Sequence, residues 1–147
     1  MLQYYGADPE FSLEGKTAVI TGGAAGIGYE TAKFFAKKGV NLVLADLNPG
    51  VDEIAKELDP KAVGIAGDVT NGAYRQSVVD LGVKQFGQID ILVNCAGIVA
   101  LEKAELISES DWDRTMNINL KSSFMMAQLL GKYFIDNHIN GSIVNIA

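Results

Sequence analysis

A glycine-rich turn between an apolar run and a helical stretch constrains this chain more than any other feature. Residues 21–28 read Thr-Gly-Gly-Ala-Ala-Gly-Ile-Gly and follow the apolar run at 17–20. A strand, a glycine turn and a helix start in this order can bind a nucleotide pyrophosphate, because free N–H groups at the helix N-terminus attract an anion. In this interpretation Gly22 permits the tight turn, Gly26 lets the backbone approach the phosphates, and Gly28 lets the helix pack on the strand. The alternative is a strand-to-helix turn without a ligand.

Strand-like and helix-like segments alternate along the rest of the chain. Apolar runs predict strands at about 17–21, 40–45, 61–66, 90–94 and 142–146. Helical periodicity predicts helices at about 26–38, 49–58, 71–86 and 109–137. This alternation predicts an α/β fold, with a doubly wound parallel sheet in three layers. Residues 1–14 lack a period and are expected to form an N-terminal arm, which leaves residues 15–147 as one domain.

The predicted helices carry capping signals at their starts. Asn48 precedes Pro49, whose missing N–H suits the first helical position, and Thr70 precedes the next helix. Ser108 and Asp111 have the spacing of a capping box before the longest helix. Each of these caps is expected to accept hydrogen bonds from the first turn of its helix.

Two helices are predicted to have apolar faces. In the first helix, Ile27, Thr31, Phe34 and Phe35 are expected to turn toward the core. The longest helix carries a larger apolar set, for which the 147 residues are expected to provide too little cover. Its members are Trp112, Met116, Leu120, Phe124, Leu130 and Phe134.

Charge and composition argue against several classes of function. The net charge of −6 disfavours a surface that binds nucleic acid. No apolar run approaches membrane-spanning length and no secretion signal is evident, so we expect a cytoplasmic protein without a membrane partner. The single cysteine, Cys95, is interpreted as a buried thiol in a reducing compartment. No cluster of histidine, cysteine and carboxylate has metal-ligand spacing, so no metal is expected.

Two aspartates follow predicted strands and point to a nucleotide. Asp46 lies 18 positions after Gly28, where a carboxylate can accept hydrogen bonds from both adenosine ribose hydroxyls and would repel a 2′-phosphate. This favours NAD over NADP; the alternative role for Asp46 is a helix cap. Asp68 and Val69 end the third strand, where the carboxylate can accept from the adenine amino group and the next N–H can donate to the ring. The alternative for Asp68 is an ordinary turn residue.

The fourth strand and the longest helix contribute two further candidates. The strand ends in Asn94-Cys95-Ala96-Gly97, whose small residues allow the backbone to approach a sugar and a nicotinamide. The alternative is a tight turn with a buried asparagine. Asn119 lies inside the longest helix, where asparagine is disfavoured, so its side chain is expected to have a partner.

The joint pattern of Thr-Gly-x3-Gly-Ile-Gly, Asp-Val and Asn-x-Ala-Gly resembles the short-chain dehydrogenase/reductase family. The closing Gly-Ser-Ile-Val-Asn-Ile is similar to the family's fifth strand, so the resemblance covers residues 15–147. It implies a Rossmann-type NAD-binding domain and hydride transfer between the nicotinamide and an alcohol or carbonyl substrate. Cys95 departs from the family, which usually has a second asparagine there. The candidate cofactor-binding residues are Gly22, Ala24, Ala25, Gly26, Ile27, Gly28, Asp46, Asp68, Val69, Asn94, Cys95, Ala96 and Gly97.

The resemblance also implies catalytic residues and an assembly. Asn119 matches the family's helix asparagine, which holds a water linking the catalytic lysine to solvent; the alternative is a core asparagine bonded to backbone. The family's serine and Tyr-x3-Lys are expected just beyond Ala147, so the chain is expected to be truncated after the fifth strand and inactive alone. In the family the longest helix packs on a neighbouring subunit, which implies a homotetramer formed through residues 109–137.

Three functions stay open. The N-terminal arm and the turn at 45–48 are similar to those of bacterial polyol dehydrogenases, which favours a polyol substrate. A 3-oxoacyl carrier-protein reductase is the rival within the family, disfavoured because those enzymes mostly use NADP. A non-catalytic NAD-binding module or redox sensor is the rival outside the enzymes, and it would account for the missing catalytic residues without truncation.

Overall fold

Five parallel strands form one sheet with helices on both faces. The computed structural model describes residues 12–147, so the predicted arm at 1–14 lies largely outside the described residues. Strands β1 to β5 are Thr17–Thr21, Asn41–Asp46, Val63–Ala66, Ile91–Asn94 and Ser142–Asn145. Helices α1 to α5 are Gly26–Ala36, Val51–Leu58, Gly72–Phe86, Glu109–Met116 and Ser122–Asp136. The predicted α/β fold with a doubly wound parallel sheet is confirmed.

The strand order places β1 at the centre of the sheet. The order is β3-β2-β1-β4-β5, and every neighbouring pair is parallel. Thr21 at the end of β1 is in register with Ala45 of β2 and with Asn94 of β4. The chain therefore moves outward from β1 in one direction and then returns to its other side. In open α/β sheets, ligands bind outside the carboxyl ends of the strands at this reversal point.

The central strands are apolar throughout because both of their faces are buried. Alternate residues of a strand point to opposite faces, so Ile20 and Leu44 pack toward α1 and α2. Val19 and Val43 pack toward α3 and α5 on the other face. This explains why β1 and β2 lack the polar alternation of a half-exposed strand.

The predicted inward face of α1 is only partly correct, because Phe35 packs against the core whereas Ile27 and Phe34 do not. Ile27 is 62% exposed and Phe34 55% exposed, whereas Gly28 and Ala32 are the buried residues of this helix. A Cβ on Gly28 would lie 2.1 Å from the Gly22 carbonyl oxygen. The helix therefore lies so close to the chain beneath it that only small residues fit between them.

Two of the predicted caps are also wrong, each because a neighbouring residue takes the position. Helix α2 begins at Val51, and Asn48 instead accepts from the Gly50 N–H in the turn before it. Asn71 caps α3 by accepting from two backbone N–H groups, while Thr70 donates to the Asp68 carboxylate. Ser108 caps α4 as predicted, accepting from the Asp111 N–H at 3.1 Å.

The predicted helix at 109–137 is interrupted and ends at Asp136. A π-helical turn, Asn117–Lys121, separates α4 from α5. Leu130 and Phe134, expected to lack cover, are 0% and 6% exposed because they pack against the β1, β2 and β4 face. The other predicted apolar residues of this helix are exposed at 36–62%, namely Trp112, Met116, Leu120 and Phe124.

Gly64→Ala should lower the free energy of unfolding by about 1 to 3 kcal/mol through overpacking. Its Cβ would lie 2.4 Å from the Val51 carbonyl oxygen, a backbone atom of α2 that cannot move independently. Urea denaturation followed by circular dichroism measures the change. Gly131→Ala is the matched control, because a Cβ there meets no atom within 4 Å and alanine favours the helix. Equal midpoints for Gly64→Ala and the wild type would contradict this contact.

Candidate functional site

A cleft opens at the carboxyl ends of β1, β2, β3 and β4, where the strand order reverses. Its walls combine the glycine turn, the ends of β2 and β3, the start of α3, the loop after β4 and the π-helical turn. The lining residues are Gly22, Ala45, Asp46, Leu47, Gly67, Asp68, Val69, Tyr74, Ala96, Gly97, Ile98 and Ile118.

The glycine turn brings the start of α1 to one end of this cleft. Gly22 has a φ of +66°, which favours glycine, and its N–H donates to the Ala45 carbonyl at 2.8 Å. A Cβ on Gly22 would lie 2.8 Å from the Ala96 nitrogen, so the turn also contacts the loop after β4. Ala25 occupies the N-cap position of α1, and no side chain caps this helix. The first turn of α1 therefore presents N–H groups and a positive dipole end to an anion.

Asp46 joins the glycine turn to the end of β2. One carboxylate oxygen, Oδ2, accepts from the Ala24 N–H at 3.0 Å, and the other accepts from the Asn48 N–H at 2.9 Å. Each oxygen of an ionised carboxylate keeps a further lone pair for a ligand. Asp46 lines the cleft, and none of the lining residues is lysine or arginine. The Asp46 carboxylate in the cleft can therefore accept hydrogen bonds from the hydroxyl groups of a ligand. The lining residues include no cation that could neutralise an additional phosphate.

Asp68 and Val69 lie beside Tyr74 on the opposite wall. Asp68 Oδ1 accepts from the Thr70 N–H at 2.8 Å and from the Thr70 hydroxyl at 2.7 Å, which leaves Oδ2 without a partner among these bonds. The Tyr74 hydroxyl donates to the Ile65 carbonyl at 2.7 Å. Burial raises the pKa of Tyr74 to about 12, so this hydroxyl stays protonated as a donor.

Thr21 fixes the loop that follows β4. Its hydroxyl oxygen accepts from the N–H groups of Cys95 and Ala96, both at 3.2 Å. Cys95 was predicted to be buried and is only half-buried; burial still raises the pKa of its thiol. The loop is therefore held by its own backbone N–H groups, which donate to the Thr21 hydroxyl, and the Cys95 side chain does not line the cleft.

Asn94 lies behind the cleft rather than in its wall. The side chain is 2% exposed, and its Nδ2 donates to Asn145 Oδ1 at 2.9 Å and to the Ser123 carbonyl at 3.2 Å. Its Oδ1 is buried without a hydrogen-bond partner in residues 12–147. These contacts tie β4 to β5 and α5. The burial agrees with the alternative of a buried, self-satisfied asparagine, but the unpaired Oδ1 does not, and a role of Asn94 in cofactor binding stays a prediction.

Asn119 forms two hydrogen bonds with a single residue of the loop after β4. Its Oδ1 accepts from the Ile98 N–H and its Nδ2 donates to the Ile98 carbonyl, both at 2.8 Å. The backbone partner agrees with the alternative interpretation, but the residue is exposed rather than in the core. Asn119 lies in the π-helical turn, a feature that is frequent at functional sites. Its catalytic role stays a prediction.

The structure brings about half of the predicted cofactor-binding residues to the cleft. The cleft-lining members are Gly22, Asp46, Asp68, Val69, Ala96 and Gly97. The other members form the start of α1 or lie behind the loop after β4, and they are Ala24, Ala25, Gly26, Ile27, Gly28, Asn94 and Cys95. Sequence reasoning missed Thr21 beneath the cleft and six residues of its walls, namely Ala45, Leu47, Gly67, Tyr74, Ile98 and Ile118. A hydroxyl at the carboxyl end of β1 was the available signal for Thr21.

Two further observations concern metals and membranes. Over residues 12–147, no group of three or more His, Cys, Asp and Glu side chains is arranged to hold a metal ion. In the same part of the chain, no helix has both the length and the apolar character needed to cross a membrane.

Comparison with known proteins gives consistent matches. The family model described as short chain dehydrogenase matches residues 16–147. An NAD-dependent glycerol dehydrogenase from Listeria innocua is 40% identical, with 99% of this chain aligned to 58% of the relative. A D-threitol dehydrogenase from Mycolicibacterium smegmatis is 42% identical over 99% of this chain and 57% of the relative.

A solved structure agrees with these sequence matches. The 3-ketoacyl-(acyl-carrier-protein) reductase from Brucella melitensis, complexed with NADH, is 33% identical with a TM-score of 0.86. The match covers 92% of this chain and 58% of that chain. The chain therefore spans less than two thirds of the length of each of these relatives.

Thr21→Val should lower the free energy of unfolding by about 1 to 3 kcal/mol, because the Ala96 N–H loses its acceptor beside the Gly22 turn. Thr21→Ser keeps the hydroxyl and should recover most of the loss. Thermal and urea denaturation of both variants measure the difference. Equal losses in the two variants would show that the methyl group of Thr21, rather than its hydroxyl, holds the loop.

Proposed function

Since the chain belongs to the short chain dehydrogenase family, we propose that it forms the dinucleotide-binding part of an NAD-dependent oxidoreductase. The proposed reaction is hydride transfer between a nicotinamide and an alcohol or carbonyl carbon of a small molecule. The observation that carries the proposal is the position of Asp46, whose carboxylate binds the glycine turn through Ala24 and also lines the cleft.

The residues of the cleft fit an NAD molecule in three ways. The uncapped start of α1 suits a pyrophosphate, and the close contact of Gly22 with Ala96 keeps side chains out of its path. The lone pairs left on Asp46 suit the adenosine ribose hydroxyls, and its charge disfavours a 2′-phosphate. The carboxylate of Asp68 and the N–H of Val69 suit the adenine edge. When bound, NAD supplies the hydride chemistry, and the protein supplies binding and orientation.

Asn119 is the one candidate for a catalytic role within residues 12–147. The resemblance assigns it to a water that connects the catalytic lysine with solvent. The bonds to Ile98 support a positioning role as well, because they hold the loop that follows Gly97 against the π-helical turn. The proposal assigns cofactor binding and positioning to the described residues and assigns no acid–base residue among them.

A polyol is the proposed substrate. Two relatives that align over 99% of this chain are named for glycerol and D-threitol, which are both polyols. The rival is a 3-oxoacyl carrier-protein reductase, and the Brucella melitensis structure supports keeping it. A non-catalytic NAD-binding module is the rival outside the enzymes.

Activity assays on the protein that contains this chain separate these functions. The proposal expects NADH to form when NAD⁺ is mixed with glycerol or D-threitol. Reduction of a 3-oxoacyl thioester without polyol oxidation would favour the reductase. NADH binding without turnover of either substrate would favour the non-catalytic module, and failure to bind NADH would contradict all three.

Asp46→Asn should narrow the preference for NADH over NADPH about tenfold, because it removes the negative charge that faces the 2′ position. The amide oxygen can still accept from the Ala24 N–H, which keeps the contact with the glycine turn, whereas the amide nitrogen cannot accept from the Asn48 N–H. Fluorescence titration with both reduced cofactors measures the two dissociation constants. Asp80→Asn is the matched control, because Asp80 lies on α3, bonds with Gln76 and does not line the cleft. An unchanged preference in Asp46→Asn would remove Asp46 from cofactor selection.

We further propose a cytoplasmic homo-oligomer, with a tetramer as the family expectation. The support is the exposed apolar row on α4 and α5, where Trp112 is 58% exposed and Phe124 62% exposed. Leu120, in the π-helical turn between these helices, lies eight residues after Trp112 and four before Phe124 and is 59% exposed. A contiguous apolar surface of this kind marks a protein interface. The single cysteine is consistent with a reducing compartment.

Phe124→Glu should shift the protein to a smaller species, because it places a charge within the apolar row. Sedimentation velocity at several protein concentrations measures the change. Gln85→Glu adds the same charge on an exposed polar residue of a different helix, α3, and should leave the assembly intact. A dissociation produced equally by both substitutions would contradict this interface.

A further inference from the structure

Two consecutive residues at the start of α3 contact opposite ends of the loop that carries Asp68 and Val69. Tyr74 donates to the Ile65 carbonyl before the loop, and Arg75 donates to the Val69 carbonyl at its far end. Asn71 caps the same helix and its N–H donates to the Asp68 carbonyl at 2.9 Å. The first turn of α3 therefore holds this loop at several points.

Arg75 is unusual because it is a buried guanidinium paired with a carbonyl. The residue is 9% exposed, and its Nη1 donates to the Val69 oxygen at 2.7 Å. None of the salt bridges found within residues 12–147 involves Arg75. A buried charge needs hydrogen bonds to offset its lost hydration, so the Val69 carbonyl and the guanidinium are strongly coupled.

That hydrogen bond also orients Asp68 through one peptide group. The peptide between Val69 and Thr70 has its carbonyl held by Arg75, while its N–H donates to Asp68 Oδ1 at 2.8 Å. A peptide group is planar, so holding its oxygen also fixes the direction of its N–H. The N–H in turn fixes the side of the Asp68 carboxylate that stays free for a ligand.

Tyr74 holds the other end of the loop through its ring. A Cβ on Gly67 would lie 2.3 Å from the Tyr74 ring, so the ring lies directly against the Gly67 backbone. The Gly67 N–H donates to the Asp46 carbonyl at 2.8 Å, which links this end of the loop to β2. Tyr74, Gly67 and Asp68 all line the cleft.

We propose that Arg75 and Tyr74 are positioning residues that hold Asp68 and Val69 in the geometry that selects an adenine base. The inference rests on the proposed function, because it assigns the adenine end of the dinucleotide to this wall. Asp68 accepts from the exocyclic amino group of adenine, and the Val69 N–H donates to the ring. Arg75 acts on the Asp68 contact through the peptide that follows Val69. The Val69 N–H belongs to the preceding peptide, whose carbonyl accepts from the Asn71 N–H at the start of the same helix.

The test compares NADH with its hypoxanthine analogue, in which an oxo group replaces the exocyclic amino group. The wild-type protein should bind NADH at least about tenfold more tightly than the analogue, because the oxo group cannot donate to Asp68 and the ring nitrogen beside it carries a hydrogen. Arg75→Met keeps the length of the side chain and removes its donors, so this ratio should fall below about threefold. Fluorescence of the reduced nicotinamide reports both dissociation constants in the protein that contains this chain.

Controls separate positioning from general stability. Gln76→Met, on the exposed side of the same helical turn, should keep the tenfold ratio. Arg75→Lys and Tyr74→Phe should give intermediate ratios, and they decide the question if Arg75→Met does not fold. The inference would be overturned if the Arg75 and Tyr74 variants kept the wild-type ratio of the two dissociation constants. A variant that binds NADH and the analogue more weakly by the same factor gives this result. Failure of the wild-type protein to bind either cofactor would instead contradict the proposed function.

Discussion

The contact between the glycine turn and the loop after β4 is the constraint on which the cleft depends. Gly22 reaches the Ala96 backbone so closely that a single Cβ would separate them. Thr21 supports the same contact by accepting from two N–H groups of the loop. Because β1 lies between β2 and β4, this contact closes the floor of the cleft at the point where the chain reverses direction across the sheet. The start of α1 and the walls on either side take their positions from it.

The sequence predicted the positions of the strands well, because buried parallel strands produce apolar runs that end at polar residues. Asp46, Asp68 and Asn94 each marked such an end, and all three strand ends meet at one edge of the sheet.

The buried faces of the helices were harder to predict from the sequence than the strands. Ile27 and Phe34 were assigned to the core because they are apolar, but the sequence does not state how closely a helix approaches its sheet. In α1 the approach is so close that glycine and alanine form the buried side.

The helical residues that line or support the cleft could not be predicted from local sequence patterns. Tyr74, Arg75 and Ile118 have ordinary helical positions, and only tertiary packing shows that they adjoin the cleft or its loop. The cap of α3 illustrates the same limit at short range. Thr70 and Asn71 both suit a cap, and the competition is decided by Asp68, whose carboxylate binds Thr70 and leaves the helix to Asn71. Asp68, two residues before Thr70, thus determines that Asn71 rather than Thr70 caps α3.

The π-helical turn has a consequence for how this chain tolerates insertion and deletion. The turn contains a hydrogen-bonded anchor, Asn119 on Ile98, and it precedes a packed anchor, Leu130 and Phe134 in the core. One residue more or less between these anchors would rotate one of them by about 100° around the helix axis. Either the loop would lose its support or the core would lose two large side chains. The spacing from 119 to 130 is therefore expected to accept substitutions at exposed positions far more readily than any change in length.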